Sequence, residues 1–375
     1  MTRDFDIVVI GASFAGLVCA RTAAMRGLKV AVLDAKEDPG ARVHTTGIIV
    51  KEAAEELELP HNLVRRVHGV RMYAPNLKSI DLCAPGYYFL TTDTANVLRW
   101  MASEAERAGA EIFCKTRFED AAREGDFITL KNPNFRTRFL VGADGGRSDV
   151  AKAFGLDRNQ RFLTGLEVEY EGLDKVDPDF LHCFIDSDYA PGYLAWAAPG
   201  PKVTQVGLAV GPGCKPDLGK FLNKTEPLFA YSSAKVHERR SGLIPCGGVL
   251  KNFATERVLL IGDAAGLVSP MTAGGIRLAF RSGRRAAHTI SDYLFDLGPS
   301  PETVLAREMP SFTLKKLLRR GLDLAPPNWM LNAGLSTPFM RVLAERVYFH
   351  KRAARNAGFE QFRQERLKRR REDRA

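Results

Sequence analysis

The stretch DIVVIGASFAGLVCARTAAMRGLKVAVLDAK, residues 6–36, decides the fold of this chain. An apolar run predicts a first strand over Ile7–Ile10, and after the turn GASFAG a helix is predicted over Phe14–Met25. A second strand over Lys29–Leu33 stops at Asp34. This order of strand, tight turn, helix and strand is that of the βαβ unit that binds dinucleotides.

The turn GASFAG contains the residues that such a unit needs. Gly11 permits the tight turn, Gly16 lets the helix pack closely on the strand, and Ser13 is small enough for a phosphate to approach. The helix N-terminus directs N–H groups at a pyrophosphate, and Asp34 can hold ribose hydroxyls. A similar unit without a ligand would not explain that acid. The residues expected to bind the nucleotide here are Gly11, Ser13, Phe14, Ala15, Gly16, Asp34 and Ala35.

Two further glycine-rich stretches each follow an apolar strand. FLVGADGGRSDVAKAFGL, residues 139–156, places Asp144 after one strand. RVLLIGDAAGLVSPMTAGGIRLAF, residues 257–280, places Asp263 after another, with paired glycines before a predicted helix. Taken alone, GDAAG is typical of an ordinary helix N-cap. Taken with the other two motifs, it indicates a ligand lying across the end of the strand.

In this order the three motifs resemble the flavoprotein superfamily of p-hydroxybenzoate hydroxylase. The resemblance implies that the dinucleotide is FAD and that Asp263 accepts a hydrogen bond from a ribityl hydroxyl. It also implies that the helix after Gly274 directs its N–H groups at the pyrimidine side of the flavin ring. We expect Arg42, in the loop after the second strand, to meet the pyrophosphate. The resemblance adds these cofactor-binding residues: Asp144, Gly262, Asp263, Pro270, Gly274, Gly275 and Ile276.

The sequence of the third motif is similar to that of the geranylgeranyl reductase family, which saturates isoprenoid double bonds. Gly266 stands where aromatic hydroxylases usually have histidine, and Gly275-Ile276 replaces a glycine–asparagine pair. The stretch GYLAWAAP, residues 192–199, is similar to the family's Y-x-W-x-F-P stretch, with Trp196 and Pro199 at the same spacing. The resemblance implies an FAD-dependent reductase acting on an isoprenoid or similar hydrophobic substrate, such as a lipid.

Two other functions stay open at this point. An FAD-dependent monooxygenase or halogenase would act on an aromatic or polyketide-like substrate, and a flavin-binding partner protein would have no activity. Only Trp196 matches the halogenase pattern W-x-W-x-I-P, so the motif wording favours the reductase. No second G-x-G-x-x-G unit is present, and the electron donor stays open between NAD(P)H and a redox protein.

The residues that perform the chemistry are less clear than those that bind the cofactor. Reduced flavin supplies a hydride, so the protein must supply a proton to the neighbouring carbon. Thr46 stands where the family often has a cysteine beside the flavin, and Tyr193 and Trp196 lie in the similar GYLAWAAP stretch. We take Thr46, Tyr193 and Trp196 as catalytic candidates, with His44 and water as alternative proton donors. Aromatic packing in a sheet would explain Tyr193 and Trp196 equally well.

The predicted fold is α/β, with a Rossmann-type FAD-binding domain interrupted by an antiparallel β-sheet substrate domain and followed by a C-terminal helical segment. Short alternating stretches with Gly, Pro and Asp breaks predict the antiparallel strands. The expected boundaries are 1–70, 94–160 and 245–300 for the FAD-binding domain, 71–93 and 161–244 for the substrate domain, and 301–375 for the helical segment.

Composition excludes several classes of protein. No run of 18 apolar residues is present, and the N-terminus lacks the regions of a signal peptide, so we expect a cytoplasmic protein. The six cysteines form no C-x-x-C pair, so no metal site is expected.

Charge is concentrated at the C-terminus. Residues 351–375 contribute +6 of the net charge of +10, and a basic tail alone does not indicate nucleic-acid binding. Apolar residues recur at helical spacing before the tail, at Phe339, Met340, Leu343 and Val347. This segment predicts a peripheral contact with an anionic membrane, for which a solvated charged helix is the alternative.

Overall fold

The computed structural model describes residues 2–335 and, after them, residues 337, 342, 344, 345, 348 and 349. The predicted basic tail over residues 351–375 lies outside the described residues. The same is true of the four apolar positions predicted to form a helix face before it, Phe339, Met340, Leu343 and Val347.

The described residues contain these strands: β1 (Arg3–Ile10), β2 (Val30–Leu33), β3 (Ile49–Val50), β4 (Val64–Val67), β5 (Gly69–Tyr73), β6 (Ser79–Cys83), β7 (Phe89–Thr92), β8 (Glu111–Phe113), β9 (Ala121–Glu124), β10 (Phe127–Leu130), β11 (Phe135–Gly142), β12 (Phe162–Glu171), β13 (Phe180–Phe184), β14 (Ala195–Pro199), β15 (Thr204–Val210), β16 (Lys235–Pro245), β17 (Ala254–Thr255) and β18 (Val258–Leu260). They also contain these α-helices: α1 (Phe14–Met25), α2 (Lys51–Ala54), α3 (Thr94–Arg107), α4 (Asp149–Ala153), α5 (Leu218–Phe229), α6 (Ile276–Leu294), α7 (Pro301–Glu308), α8 (Thr313–Asp323) and α9 (Asn328–Leu335).

The first of two compact units comprises Met1–Thr45, Thr94–Leu163 and Leu243–Arg319. Its sheet has the strand order β17-β18-β11-β1-β2-β8, and the strands from β18 to β8 are parallel. The apolar runs of β1 and β2 are buried, as expected for a parallel sheet covered by helices. Because these strands are parallel, the ends of β2, β1, β11 and β18 lie at one edge of the sheet. The predicted Rossmann-type sheet is confirmed.

Helices α1 and α6 of this unit pack together at a glycine. A Cβ atom on Gly283 would lie 2.3 Å from the carbonyl oxygen of Ala15, so a larger residue would force the helices apart. The rings of Phe14 and Phe280 meet edge to face with centroids 5.7 Å apart. This packing fixes the position of the α1 N-terminus on the sheet.

The second unit comprises Thr46–Asp93, Thr164–Gly242 and the described residues from Arg320 onward. Its seven-stranded sheet has the order β16-β12-β15-β14-β13-β5-β6. Strands β13 and β5 are parallel, whereas β12–β15, β15–β14, β14–β13 and β5–β6 pair antiparallel. One face packs Val168 and Phe184 against Phe221 of α5. The opposite face packs Leu181 and Cys183 in a second apolar core, which includes residues of β4 and β7.

The units differ from the predicted boundaries at two places. Strands β3 and β4 pair with β7, so residues 46–70 group with the antiparallel sheets and not with the Rossmann-type sheet. Helix α7 packs on α6, so residues 301–319 group with the first unit and do not stand apart as a helical segment. Both differences arise because pairing and packing partners lie far away in sequence.

Candidate functional site

The three glycine-rich motifs meet at the carboxyl edge of the parallel sheet in the first unit. A Cβ atom on Gly11 would lie 2.4 Å from the carbonyl oxygen of Ala143, and one on Gly16 would lie 1.9 Å from that of Gly11. A Cβ atom on Gly262, which has φ of 56°, would lie 2.8 Å from Cβ of Ala15. Glycine is therefore required where the motifs touch one another.

Asp34 connects the first turn to the end of β2. Its Oδ2 accepts a hydrogen bond from the backbone N–H of Ala12 at 2.7 Å, and its Oδ1 accepts one from that of Lys36 at 2.8 Å. A carboxylate has about four acceptor positions. Asp34 can thus hold the turn in place and still accept hydrogen bonds from two hydroxyl groups of a ligand.

Asp144 follows β11 and caps α4. Its Oδ2 accepts hydrogen bonds from the backbone N–H groups of Asp149 at 2.7 Å and Val150 at 3.0 Å. Burial raises the pKa of Asp144, while the Ser148 hydroxyl and backbone N–H groups favour the charged form. Its other oxygen, Oδ1, is buried and has no partner with hydrogen-bond geometry in the described part of the chain. A buried acceptor in this condition fits a ligand that donates to it.

Asp263 lies in the short 3₁₀ helix Gly262–Ala265 that follows β18. Burial raises the pKa of its carboxyl group to about 6. A Cβ atom on Gly275 would lie 3.3 Å from its Oδ1, so this carboxyl group sits beside the start of α6 at Ile276. The surrounding protein thus leaves the charged form of Asp263 poorly solvated.

Asn159 joins the second motif to the third, and the sequence analysis did not identify it. Its Nδ2 donates hydrogen bonds to the carbonyl oxygens of Asp263 at 2.9 Å and Gly146 at 3.2 Å. A lone asparagine after α4 has no recognisable pattern, so only the folded chain shows this link.

The remaining predicted cofactor residues lie around the same edge. Ala35 follows β2 and is exposed, Arg42 is exposed with φ of 46°, and Pro270 is buried. In the turn before α6, the backbone N–H of Ser269 donates to the carbonyl oxygen of Gly274 at 3.1 Å. This turn leaves the N-terminus of α6 exposed on the side of Gly274.

A second cluster of interest lies in the other unit, around a residue that we did not predict. Thr46 Oγ1 donates to Glu167 Oε2 at 2.5 Å, and Trp196 Nε1 donates to the same oxygen at 3.0 Å. Two of the three catalytic candidates therefore share one carboxyl group. Tyr193 lies in the loop before β14, where its backbone N–H donates to the carbonyl oxygen of Ala190, and it is among the groups that affect the pKa of Tyr348.

Glu167 is buried on strand β12. Burial raises the pKa of its carboxyl group, and Glu169 adds to the effect, while Thr46, Trp196 and Arg240 oppose it. The sequence signal was present in EVEYE, where acids alternate at Glu167, Glu169 and Glu171. Alternating acids on a strand are typical of a solvent-facing side, and for this reason the sequence analysis missed the site.

The register of the sheet places Glu167 in a cross-strand row that runs from β5 to β12. Glu167 pairs with Gly207, Gly207 pairs with Trp196, Trp196 pairs with Cys183, and Cys183 pairs with Met72. Paired residues lie on one face of a sheet. A Cβ atom on Gly207 would lie 2.8 Å from the Trp196 ring, so the indole lies over this glycine. The row is apolar up to its last member, which is an acid.

A family model described as "FAD binding domain" matches residues 4–213, which is more than half of the chain. The chain belongs to this FAD-binding family. Its cofactor is FAD, and the protein is an FAD-dependent oxidoreductase.

Relatives support a more specific grouping. The chain is 28% identical over 310 residues to the digeranylgeranylglycerophospholipid reductase of Methanosarcina acetivorans. The aligned region covers 76% of this chain and 75% of the relative. It is similar, with a TM-score of 0.81 and 20% identity, to a geranylgeranyl bacteriochlorophyll reductase-like protein from Thermoplasma acidophilum, over 94% of this chain and 98% of that one. The resemblance to geranylgeranyl reductases is confirmed.

The same fold occurs in oxygen-using flavoenzymes. The p-nitrophenol 4-monooxygenase of Pseudomonas putida is similar with a TM-score of 0.70 and 16% identity, over 95% of this chain and 100% of that one. At these identities the solved structures support the fold and not the reaction. Among residues 2–335 and the few described after them, no helix has the length and hydropathy to cross a bilayer.

Proposed function

We propose that this oxidoreductase is a reductase that saturates carbon–carbon double bonds in an isoprenoid chain of a lipid or a similarly hydrophobic molecule. The observation that carries the proposal is the cross-strand row in the second unit, in which apolar residues lead to the buried acid Glu167. A hydrocarbon chain needs an apolar surface, and its reduction needs a proton. The name of the relative from Methanosarcina acetivorans agrees with a lipid of this class.

The residues of the first unit fit FAD. The closely packed glycines leave no side chains between a ligand and the backbone, and the N-terminus of α1 can meet the pyrophosphate. Asp34 has acceptor capacity left for ribose hydroxyls, and the buried Oδ1 of Asp144 has no described partner. Asp263 would accept from a ribityl hydroxyl, which would stabilise its charged form. Arg42 is exposed and long enough to approach a phosphate.

The remaining residues would bind substrate and exclude water. Reduced FAD supplies a hydride when it is bound. Trp196 is half-buried and could contact a hydrocarbon chain, whereas Met72 and Cys183 are buried in the second apolar core and support the indole from below. Burial raises the pKa of the Cys183 thiol to about 11, so this cysteine contributes apolar surface and not a reactive thiolate. We retain Tyr193 as a residue that lines the substrate site.

The experiment that tests this function uses anaerobic, chemically reduced holoenzyme mixed with a glycerophospholipid bearing geranylgeranyl chains. Flavin reoxidation without O₂, with two hydrogens added to the lipid for each double bond, would support the reductase. Oxygen-dependent product formed from an aromatic substrate, with no alkene-dependent reoxidation, would instead identify a monooxygenase or halogenase.

We further propose a cytoplasmic protein that makes peripheral contact with membrane through α8. Leu314, Leu317 and Leu318 on this helix are 68%, 62% and 41% exposed, and Lys316 and Arg320 beside them are exposed as well. A helix with exposed leucines and flanking cations is suited to the interface of an anionic bilayer. A lipid substrate would reach the enzyme from such a surface.

A further inference from the structure

Two buried glutamates in the second unit share one arginine. The side chains of Glu167, Glu169 and Arg240 are each less than 10% exposed. Arg240 Nη2 lies 2.8 Å from Glu169 Oε1 and also 2.8 Å from the exposed Glu238. Its Nη1 lies 3.9 Å from Glu167 Oε1, which is too far for a hydrogen bond.

The two glutamates differ in their contacts, because only Glu169 lies close to the guanidinium group, and burial raises the pKa of Glu167. Glu169 has the close guanidinium contact and also accepts from Gln205 Nε2 at 3.3 Å. Glu167 accepts neutral donors, the hydroxyl of Thr46 and the indole N–H of Trp196. One buried cation between two buried acids leaves an excess negative charge unless one acid holds a proton.

We propose that Glu167 is the proton source for alkene reduction and that the Thr46 hydroxyl carries the proton to the substrate. The proposal rests on the proposed reductase function. Thr46 Oγ1 and Glu167 Oε2 lie 2.5 Å apart, within hydrogen-bond distance, so a proton can be exchanged between the two oxygens. Thr46 is partly exposed while Glu167 is buried, so Thr46 is the more accessible residue of the pair.

The step balances with the hydride that reduced FAD supplies. The hydride adds to one alkene carbon, and the O–H bond of Thr46 breaks to give a proton to the other carbon. For this step the Thr46 hydroxyl turns from Glu167 Oε2 toward the alkene, and the protonated Oε2 then donates to Thr46 Oγ1 in the reverse of the hydrogen bond seen here. That proton moves to the Thr46 oxygen, so the hydroxyl is restored and a carboxylate remains. Solvent protonates that carboxylate before the next cycle.

Arg240 is placed to stabilise the carboxylate that remains. Its Nη1 is buried and has no hydrogen-bond partner in the described residues. A small movement of Glu167 Oε1 across the gap of 3.9 Å would form a charged hydrogen bond with it. Trp196 acts as a positioning residue, because its indole N–H holds Glu167 Oε2 and its ring rests on Gly207.

The first test compares Glu167→Gln with Glu171→Gln as purified, FAD-loaded proteins. Glu171 is on the same strand, but it is exposed and bonded to Lys235 and His237. Glu167→Gln should slow alkene-dependent flavin reoxidation by about 100-fold or more and should remove the decline in rate at high pH, because a general acid contributes on this scale. Glu171→Gln should match the parent. Equal rates for Glu167→Gln and the parent would overturn the proposal.

The relay is tested with Thr46→Val and Thr46→Ser. The valine variant keeps the shape of the side chain and lacks the hydroxyl, so it should lose rate as Glu167→Gln does while retaining FAD. The serine variant restores the hydroxyl and should recover most of the rate. A Thr46→Val protein as active as the parent would exclude the relay.

A spectroscopic test does not depend on activity. Infrared spectra of oxidised, substrate-free holoenzyme at neutral pH should contain a protonated carboxyl C=O band that shifts in D₂O and is missing in Glu167→Gln. Its absence from the parent would overturn the proton assignment even if Glu167→Gln failed to fold. A parent that shows the band but does not reduce alkenes would contradict the reductase function and not the protonation of Glu167.

Discussion

Burial raises the carboxyl pKa of both Asp263 and Glu167, but the groups around the two acids differ. For Asp263 the cause is burial alone, whereas Glu167 has neutral donors and a distant cation around it. A raised carboxyl pKa at such positions is common where a residue binds a ligand or moves a proton. We assign Asp263 to the cofactor and Glu167 to the reaction.

Replacement of Asp263 by alanine should weaken FAD retention. The variant loses an acceptor for a ribityl hydroxyl, and a hydrogen bond to a charged group contributes about 1.5–3 kcal/mol, or about 10- to 150-fold in Kd. Fluorescence titration of flavin-free protein with FAD measures the change. Asp120→Ala, which alters an exposed acid paired with Lys131, is the control. Unchanged affinity for Asp263→Ala would contradict its role.

The flavin-free protein should be stabilised by Asp263→Asn at neutral pH. The folded pKa of about 6 lies above the ordinary value of 3.8, so the folded state binds this proton more tightly than the unfolded state does. The stability that the protonated carboxyl group contributes to the folded state is complete below pH 4 and is lost as the pH rises through 6. At 1.36 kcal/mol per pKa unit, the parent loses on the order of 2–3 kcal/mol by pH 7.5. Asparagine does not titrate and avoids that loss.

Thermal unfolding of the flavin-free parent and of Asp263→Asn at pH 4 and pH 7.5 measures this effect. The variant should have the higher Tm at pH 7.5 and nearly the same Tm at pH 4. If the difference in Tm between the parent and Asp263→Asn is the same at both pH values, burial does not destabilise the charged form of Asp263.

At the scale of elements, the sequence predicts local units well. Helix α1 occupies Phe14–Met25 as predicted, because a glycine turn and a glycine stop bound a short apolar segment. The strands around GVRMYAPN also lie where alternation places them, with β5 at Gly69–Tyr73. These signals depend only on residues that are close in sequence, so they can be recognised without the structure.

Elements defined by distant partners were harder to predict. Strand β16, KVHERRSGLIP, lies at an edge of the sheet and carries mostly exposed charged side chains, so it does not stand out as a strand. Its Arg240 nevertheless turns inward to Glu169 and completes the acid cluster. The cofactor motifs could be predicted because each is contiguous. The Thr46–Glu167–Trp196 cluster could not, because it combines three distant segments.

The contact between α1 and α6 should depend on Gly283. A Cβ atom there would lie 2.3 Å from the backbone oxygen of Ala15, so Gly283→Ala should destabilise the protein by about 1–3 kcal/mol. Gly321 in α8 provides the matched control, because no atom lies within 4 Å of its added Cβ. Gly321→Ala should stabilise the protein by up to about 1 kcal/mol. Thermal unfolding with release of FAD measures both, and equal behaviour of the two variants would contradict the packing argument.

For the whole molecule, charge and exposed apolar surface indicate how the enzyme could meet a lipid. The basic tail contributes much of the net charge, and the leucines of α8 supply exposed apolar surface. Cations attract a protein to an anionic bilayer from a distance of about a Debye length, and insertion of apolar side chains then holds it there. The two segments therefore predict different responses to salt.

Vesicle binding should depend on the leucines of α8. Replacement of Leu314, Leu317 and Leu318 by serine should lower co-sedimentation with anionic phospholipid vesicles by at least tenfold, since each buried leucine side chain contributes about 1.5–3 kcal/mol. The exposed Leu297, which precedes α7, provides the matched control as Leu297→Ser. A chain cut after Phe359 should keep part of its binding at high salt, because salt screens the tail and not the leucines. If the triple serine variant binds vesicles as well as the parent and the cut chain does not bind at all, the tail and not α8 makes the membrane contact.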